Sequence, residues 1–134
     1  MNGSGTTIPT FCFDNNLSSQ LVAGMKAFGE SAVHLSELFP RDPKDVAWLP
    51  EVGKRGLFIV TRDDRIRHRP AELQAYRSHA VGGFVLGGKN RTHCDLIRQI
   101  VRNWHLMKEA AHKTRRPFLF RVPPSGGKLD QIPL

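Results

Sequence analysis

Cysteine is scarce in this chain, with two in 134 residues, and Cys12 and Cys94 stand far apart with no CxxC spacing. That excludes a disulfide framework and a cysteine-ligated zinc site, so both are expected as reduced core thiols of a cytoplasmic protein. The histidines do not fill the gap. His68, His79, His93, His105 and His112 are scattered without ligand or catalytic spacing, and His34 falls in a strand-like run and is expected packed. No stretch approaches the ~20 apolar residues that a membrane-crossing helix needs. Met1 to Pro9 has neither a basic start nor an apolar run, which reads as a flexible leader over 1–9 and not a signal peptide. A soluble protein with no membrane partner is expected. Acids are the minority charge, 12 against 20 Lys and Arg, and the formal charge of +8 creates a field that attracts phosphate polymers or acidic protein surfaces.

What the chain does have is a regular alternation of short apolar runs and helical patterns, enough for one domain at this length. Thr10 to Asp14 (TFCFD) reads as a buried strand that ends in a carboxylate. Leu17, Leu21, Met25 and Phe28 then recur at helical spacing, and Gly29 closes that helix. A second strand is expected over Ala32 to Leu35, followed by a loop through Pro40 and Pro43. Asp42 or Asp45 can begin the next helix, with Val46, Trp48 and Leu49 inward, Pro50 bending or splitting it, and Gly53 and Gly56 at its end. Leu57 to Val60 (LFIV) is a central strand that runs into Thr61, Arg62, Asp63 and Asp64. A short surface helix within Arg65 to Arg77 starts near Pro70, with Leu73 and Tyr76 three apart. Val81 to Leu86 is a fourth strand closed by Gly87 and Gly88. The strongest helical pattern runs from about Thr92 to His112, with Thr92 as the cap and Ile97, Ile100, Val101, Trp104 and Leu106 or Met107 as its apolar stripe. Phe118 to Val122 is a last strand, and residues 123–134 read as an irregular tail. The rhythm predicts a three-layer α/β/α sandwich around a mostly parallel sheet of four to five strands, one domain spanning 10–122.

In such open sheets ligands bind beyond the carboxyl ends of the strands, which makes the placement of Asp14 and of the Asp63–Asp64 pair informative. Carboxylates gathered there repel one another unless a cation balances them, and a hard divalent ion such as Mg²⁺ or Mn²⁺ prefers oxygen ligands. Within the doublet, successive side chains diverge, so either member is open as the one facing the crevice. Trp48 and Trp104 are expected in the core.

The segment FDNNLSSQL (Phe13 to Leu21), the stretch DPKDVAWLPEVGKRG around Asp45 and, above all, LFIVTRDDRI (Leu57 to Ile66) resemble the compact PIN-like families related to VapC-type toxins. The likeness covers roughly Phe11 to Phe120, and eighteen residues separate Asp45 from Asp63, as in that pattern. It implies a PIN-like fold, an acidic pocket that binds Mg²⁺ or Mn²⁺, and metal-dependent endoribonuclease activity as the toxin half of a toxin–antitoxin pair. It also implies that Asp14, Asp45 and Asp63 form the acidic, metal-binding core, with Asp64 a fourth catalytic member and Thr61 a polar supporter at the substrate site. For the additional acid that many members carry on a following helix, this chain offers only Glu72 or Asp95.

Arg62, Arg65, Lys89 and Arg91 are the expected donors to a bound phosphate. The expected partners are RNA, a cognate antitoxin and a second copy of the chain. The alternative reading is a PIN-like module without catalysis that binds nucleic acid or protein, for which the basic helix from Arg98 to Arg116 offers a phosphate-tracking face. Convergence of the acids in space separates the two readings.

Overall fold

A computed structural model of the chain describes residues 8–39 and 48–134. Five strands pair in parallel in the order β2 (Ala32–His34), β1 (Phe11–Phe13), β3 (Phe58–Thr61), β4 (Gly82–Leu86) and β5 (Phe118–Val122), and β6 (Asp130–Gln131) adds an antiparallel edge. The parallel strands are apolar on both faces, which is why they read as unbroken hydrophobic runs. Phe11, Phe13, Phe58, Val60, Phe84, Leu86, Phe118 and Val122 point to one side and Cys12, Ile59, Val85 and Leu119 to the other. Helices α1 (Ser19–Ala27) and α5 (His93–Lys113) cover the first face. The second is covered by α2 (Leu35–Leu38), α3 (Leu49–Arg55) and α4 (Pro70–Ser78). The expected three-layer sandwich is therefore the one that forms.

Several local expectations give way to local physics. The segment read as an irregular tail supplies β6, whose Gln131 pairs with Phe120, and the Ile132 amide donates to the Leu119 carbonyl at 2.7 Å while its side chain is buried. Phe28 is 87% exposed instead of facing inward, because the helix has already ended and Phe28 is its C-cap; Gly29 follows at φ +86°. His34 is buried, as expected, and caps α2: its Nδ1 accepts from the Ser36 amide at 3.1 Å and its Nε2 reaches the Leu17 carbonyl at 2.8 Å. Pro50 bends nothing, since it lies in the first turn of α3, where its missing N–H has no helical partner to lose. The positions Asp42, Asp45 and Val46 lie outside the described residues.

Between β3 and α4 the charged stretch forms two pieces, a 3₁₀ turn over Asp64–His68 and then α4. Thr92 caps α5 as expected, in a reciprocal box with Asp95. On α5 the buried face is Leu96, Gln99, Ile100, Asn103, Trp104 and Met107, whereas Ile97 and Val101 of the expected stripe face out at 44% and 67% exposure. Two polar residues replace them because they have partners. Gln99 Nε2 donates to the carbonyls of Gly87 at 2.9 Å and Val122 at 3.0 Å, and Asn103 Nδ2 donates to Pro123 at 3.2 Å, which ties α5 to the carboxyl ends of β4 and β5. Of the two thiols, Cys12 is in the core and Cys94, on the first turn of α5, is exposed.

Candidate active site

The chain runs from β1 outward to β2 on one side and returns to β3 on the other, so β1 and β3 flank the point where the strand order reverses. Beyond their carboxyl ends lies the place where open α/β sheets bind ligands. Asp14 follows β1 directly. Its amide donates to the Val60 carbonyl of β3 at 3.1 Å, its side chain is buried, and its Oδ1 accepts from the Asn16 amide at 3.0 Å. Asp63 follows β3 by two residues. Its amide donates to the buried Thr61 hydroxyl at 3.1 Å, and its Oδ1 accepts from the Arg65 amide at 3.2 Å as the cap of the 3₁₀ turn.

Both acids line one inner cavity of ≈ 30 Å³, together with Thr61, Glu72 and Tyr76. That is about the room of one water molecule. Glu72 reaches it from the first turn of α4, where an acid is favoured by the helix dipole. Burial first, and then the neighbouring carboxylates with Asp14 foremost, push the Tyr76 phenol well above its ordinary value and keep it protonated. An outer crevice of ≈ 640 Å³ adjoins it, and Arg62, Arg65, Arg69 and Lys89 are among its lining residues, with Asp63 and Asn16 common to both spaces. The arrangement is an acidic floor beneath a basic rim.

Arg69 links the two spaces. Its Nη1 donates to Asp63 Oδ2 at 2.6 Å and to Glu72 Oε1 at 3.0 Å, and these bonds, that to Glu72 foremost, raise the guanidinium pKa above its usual value. The residue is set there by its backbone. Arg69 stands between the 3₁₀ turn and α4 at φ −117° and ψ 90°, the extended region that a following proline imposes.

The expected residues thus divide. Asp14 and Asp63 come together. Asp64 lies in the outer crevice, its Oδ2 3.6 Å from Arg67 and its Oδ1 buried without a hydrogen-bond partner, so the doublet diverges as neighbouring residues do. Thr61 lines the inner cavity at 3% exposure, and its hydroxyl accepts from the Asp63 amide. Arg62, Arg65 and Lys89 reach the crevice, but Arg91 does not line it: its stem packs beside Gly88 and its Nη2 is 3.4 Å from the Asp95 carbonyl. Asp95 serves the α5 cap, which leaves Glu72 as the additional acid. Asp45 lies outside the described residues. Asn16, Arg69 and Tyr76 carry no functional signal in the sequence, although Arg69 before Pro70, with Glu72 in the first turn, is a local pattern that places both.

In donor chemistry the cavity fits a hard cation, since its polar lining is carboxylate, hydroxyl and amide oxygen without sulfur or imidazole. In this arrangement, however, no group of three His, Cys, Asp or Glu among the described residues stands close enough to hold a metal ion. The Arg69 guanidinium supplies the positive charge.

The structure is that of an α/β protein with carboxylates at the switch point of a parallel sheet and cations around them. The family model for the PIN-like domain matches residues 9–88, more than half of the chain, so this chain belongs to the PIN-like domain family. Comparisons with curated proteins and with solved structures give no match. Among the described residues no helix is long and apolar enough to cross a membrane.

Proposed function

We propose that the chain is a divalent-metal-dependent endoribonuclease, acting as the toxin of a toxin–antitoxin pair. The observation that supports this reading best is the convergence of Asp14, Asp63 and Glu72, from three separate elements, on one cavity at the β1/β3 switch point. These acids do not stand close enough together here to hold an ion; drawn together, Asp14, Asp63 and Glu72, with Asp45 as a further ligand, are the residues that would hold Mg²⁺ or Mn²⁺, which would supply a Lewis acid for the scissile phosphate and lower the pKa of a bound water. The protein's own work is to place the strand. Arg62, Arg65 and Lys89 grip phosphates around the crevice, Asn16 is at hand between crevice and cavity, and Thr61 fixes Asp63. The surplus of positive charge that favours RNA also suits an acidic antitoxin, which would cover the same rim. A second reading, a module that binds nucleic acid without cutting it, draws support from Arg69, which neutralises Asp63 and Glu72 without any metal.

The test is cleavage of labelled single-stranded RNA by the purified protein with Mn²⁺, Mg²⁺ or EDTA, beside Asp14→Asn and Asp63→Asn. Metal-dependent cutting that either substitution lowers by ~100-fold or more supports the ribonuclease. Salt-sensitive binding of uncut RNA in every condition replaces it with the binding module.

A further inference from the structure

We infer that Arg69 is the resident cation of the acidic cavity, and that a divalent ion gains its place only when a nucleic-acid phosphate draws the guanidinium outward. The inference rests on the reading of this crevice as a phosphodiester site. A single nitrogen, Nη1, makes both bonds, 2.6 Å to Asp63 Oδ2 and 3.0 Å to Glu72 Oε1, and so bridges the two carboxylates as a shared cation does. Both acids are seated on structured elements: Asp63 caps the 3₁₀ turn and Glu72 occupies the first turn of α4. The guanidinium hangs on a long side chain that is 35% exposed and belongs to the outer crevice. Of the bridging partners it is therefore the one free to move.

The destination lies close by. Arg69 shares the outer crevice with Arg62, Arg65 and Lys89, where a polyanionic strand would be drawn, and a guanidinium pairs with a phosphate through two parallel N–H donors. Its two present bonds use one nitrogen and leave that fork geometry unused. A phosphate thus offers Arg69 the two-nitrogen pairing that its present bonds leave unused. Once it turns outward, Asp63 and Glu72 lose their nearest cation, Asp63 keeping the exposed Arg65 at 3.6 Å from its Oδ1, and their negative charge beside Asp14 attracts a divalent cation. Phosphate and metal favour the same position of Arg69, so each must tighten the binding of the other by the same factor. A merely structural ion pair would show no such coupling.

The test measures Mn²⁺ binding to the full chain by calorimetry, for wild type, Arg69→Gln and Arg69→Lys, with and without a single-stranded oligodeoxynucleotide whose own Mn²⁺ uptake is subtracted. Wild type is expected to bind Mn²⁺ at least tenfold more weakly than Arg69→Gln, with Arg69→Lys between them. The oligonucleotide is expected to tighten wild type about tenfold and Arg69→Gln less than twofold. Equal Mn²⁺ affinity in wild type and Arg69→Gln overturns the inference, as does equal tightening of both by the oligonucleotide. If Arg69→Gln fails to fold, absence of oligonucleotide tightening in the wild type alone overturns it. Coupled Mn²⁺ binding in a protein that never cuts RNA removes the ribonuclease and keeps the Arg69 exchange. Metal-dependent cutting with Mn²⁺ affinity indifferent to Arg69→Gln does the reverse.

Discussion

The two glycines of β4 separate the cost of a crowded core from the cost of a deformed site, because their missing side chains face opposite layers. A Cβ built on Gly82 falls 2.5 Å from Phe118 Cε2, 2.6 Å from Phe118 Cζ and 2.9 Å from Phe58 Cδ1. Those rings are 1% and 7% exposed and are held in a larger aromatic cluster, with Phe118 also edge-on to Phe84 at 5.6 Å between centroids. Phe58 borders a cavity of ≈ 350 Å³, but Phe118, which the new Cβ meets first, is packed among Phe58, Phe84 and Phe120. Overpacking of this kind costs about 2–3 kcal/mol, in the upper part of the usual range. Replacing a strand glycine by alanine returns about 0.5–1 kcal/mol of chain entropy. Gly82→Ala is thus expected to lose about 1–2.5 kcal/mol, which for a domain of this size lowers the melting temperature by roughly 5–10 °C. Urea and thermal unfolding followed by circular dichroism measure both. Gly83→Ala meets Tyr76 Cε2 at 2.9 Å and Leu119 Cδ1 at 3.1 Å instead, and the Tyr76 ring borders the acidic cavity. The ring can yield into that space, so this variant is expected to lose less stability, about 1 kcal/mol or less, and, on the ribonuclease proposal, to lose RNA cleavage. A Gly82→Ala protein within ~0.5 kcal/mol of wild type would refute the packing argument.

Thr92→Ala removes the hydroxyl that accepts from the Asp95 amide at 3.1 Å and is expected to destabilise the protein by ~1 kcal/mol in urea unfolding, without altering the crevice. Glu30 accepts from Trp104 Nε1 at 2.9 Å and from Lys108 at 3.1 Å, and these bonds, that from Trp104 foremost, hold its pKa below the usual 4.5. A depressed carboxylate stabilises the fold above its unfolded value and loses that contribution as pH falls through the folded value, so the deficit of Glu30→Gln at pH 7 should shrink steadily below pH 4.5. A deficit unchanged between pH 7 and pH 3 contradicts the assignment. Burial foremost pushes the Cys12 thiol up to about 12, and Cys94 is exposed, so a thiol reagent should modify one cysteine in the native protein and both in denaturant. Two reactive thiols in the native state would show that Cys12 is not sealed in the sheet.

The layers were legible because the parallel strands are buried on both faces, and such strands announce themselves as FCF, FIVT and FLFRV whatever lies between them. What failed was phase. Ile97 and Val101 are apolar and lie on α5, but the buried arc is set by what the helix packs against, and the sheet end there presents the carbonyls of Gly87 and Val122. An amide side chain donates to both carbonyls, which an isoleucine there could not do. Hydrophobicity alone points the wrong way at Gln99 and Asn103. Strand β6 was hidden for a related reason: Asp130 and Gln131 are both exposed, and the strand exists because β5 offers an edge and Ile132 anchors behind it.

At the site, Asp14 and Asp63 were legible because each stands just past an apolar strand, and topology carries the carboxyl ends of β1 and β3 to the same crevice. Glu72 and Arg69 were not, since their meaning depends on a turn that no apolar pattern marks. The 3₁₀ turn brings the chain back over the end of β3, Asp63 fixes its start through the Arg65 amide, and Pro70 holds Arg69 extended at its exit. Six residues of sequence separation thereby become a 2.6 Å contact between Asp63 and Arg69. A charged stretch that looks like solvated surface is folded into the wall of the acidic cavity, and its positive charge balances acids that otherwise demand a metal ion. Counting carboxylates in the sequence therefore overstates how negative this site is at rest, because the compensating cation is supplied by the loop that completes the cavity.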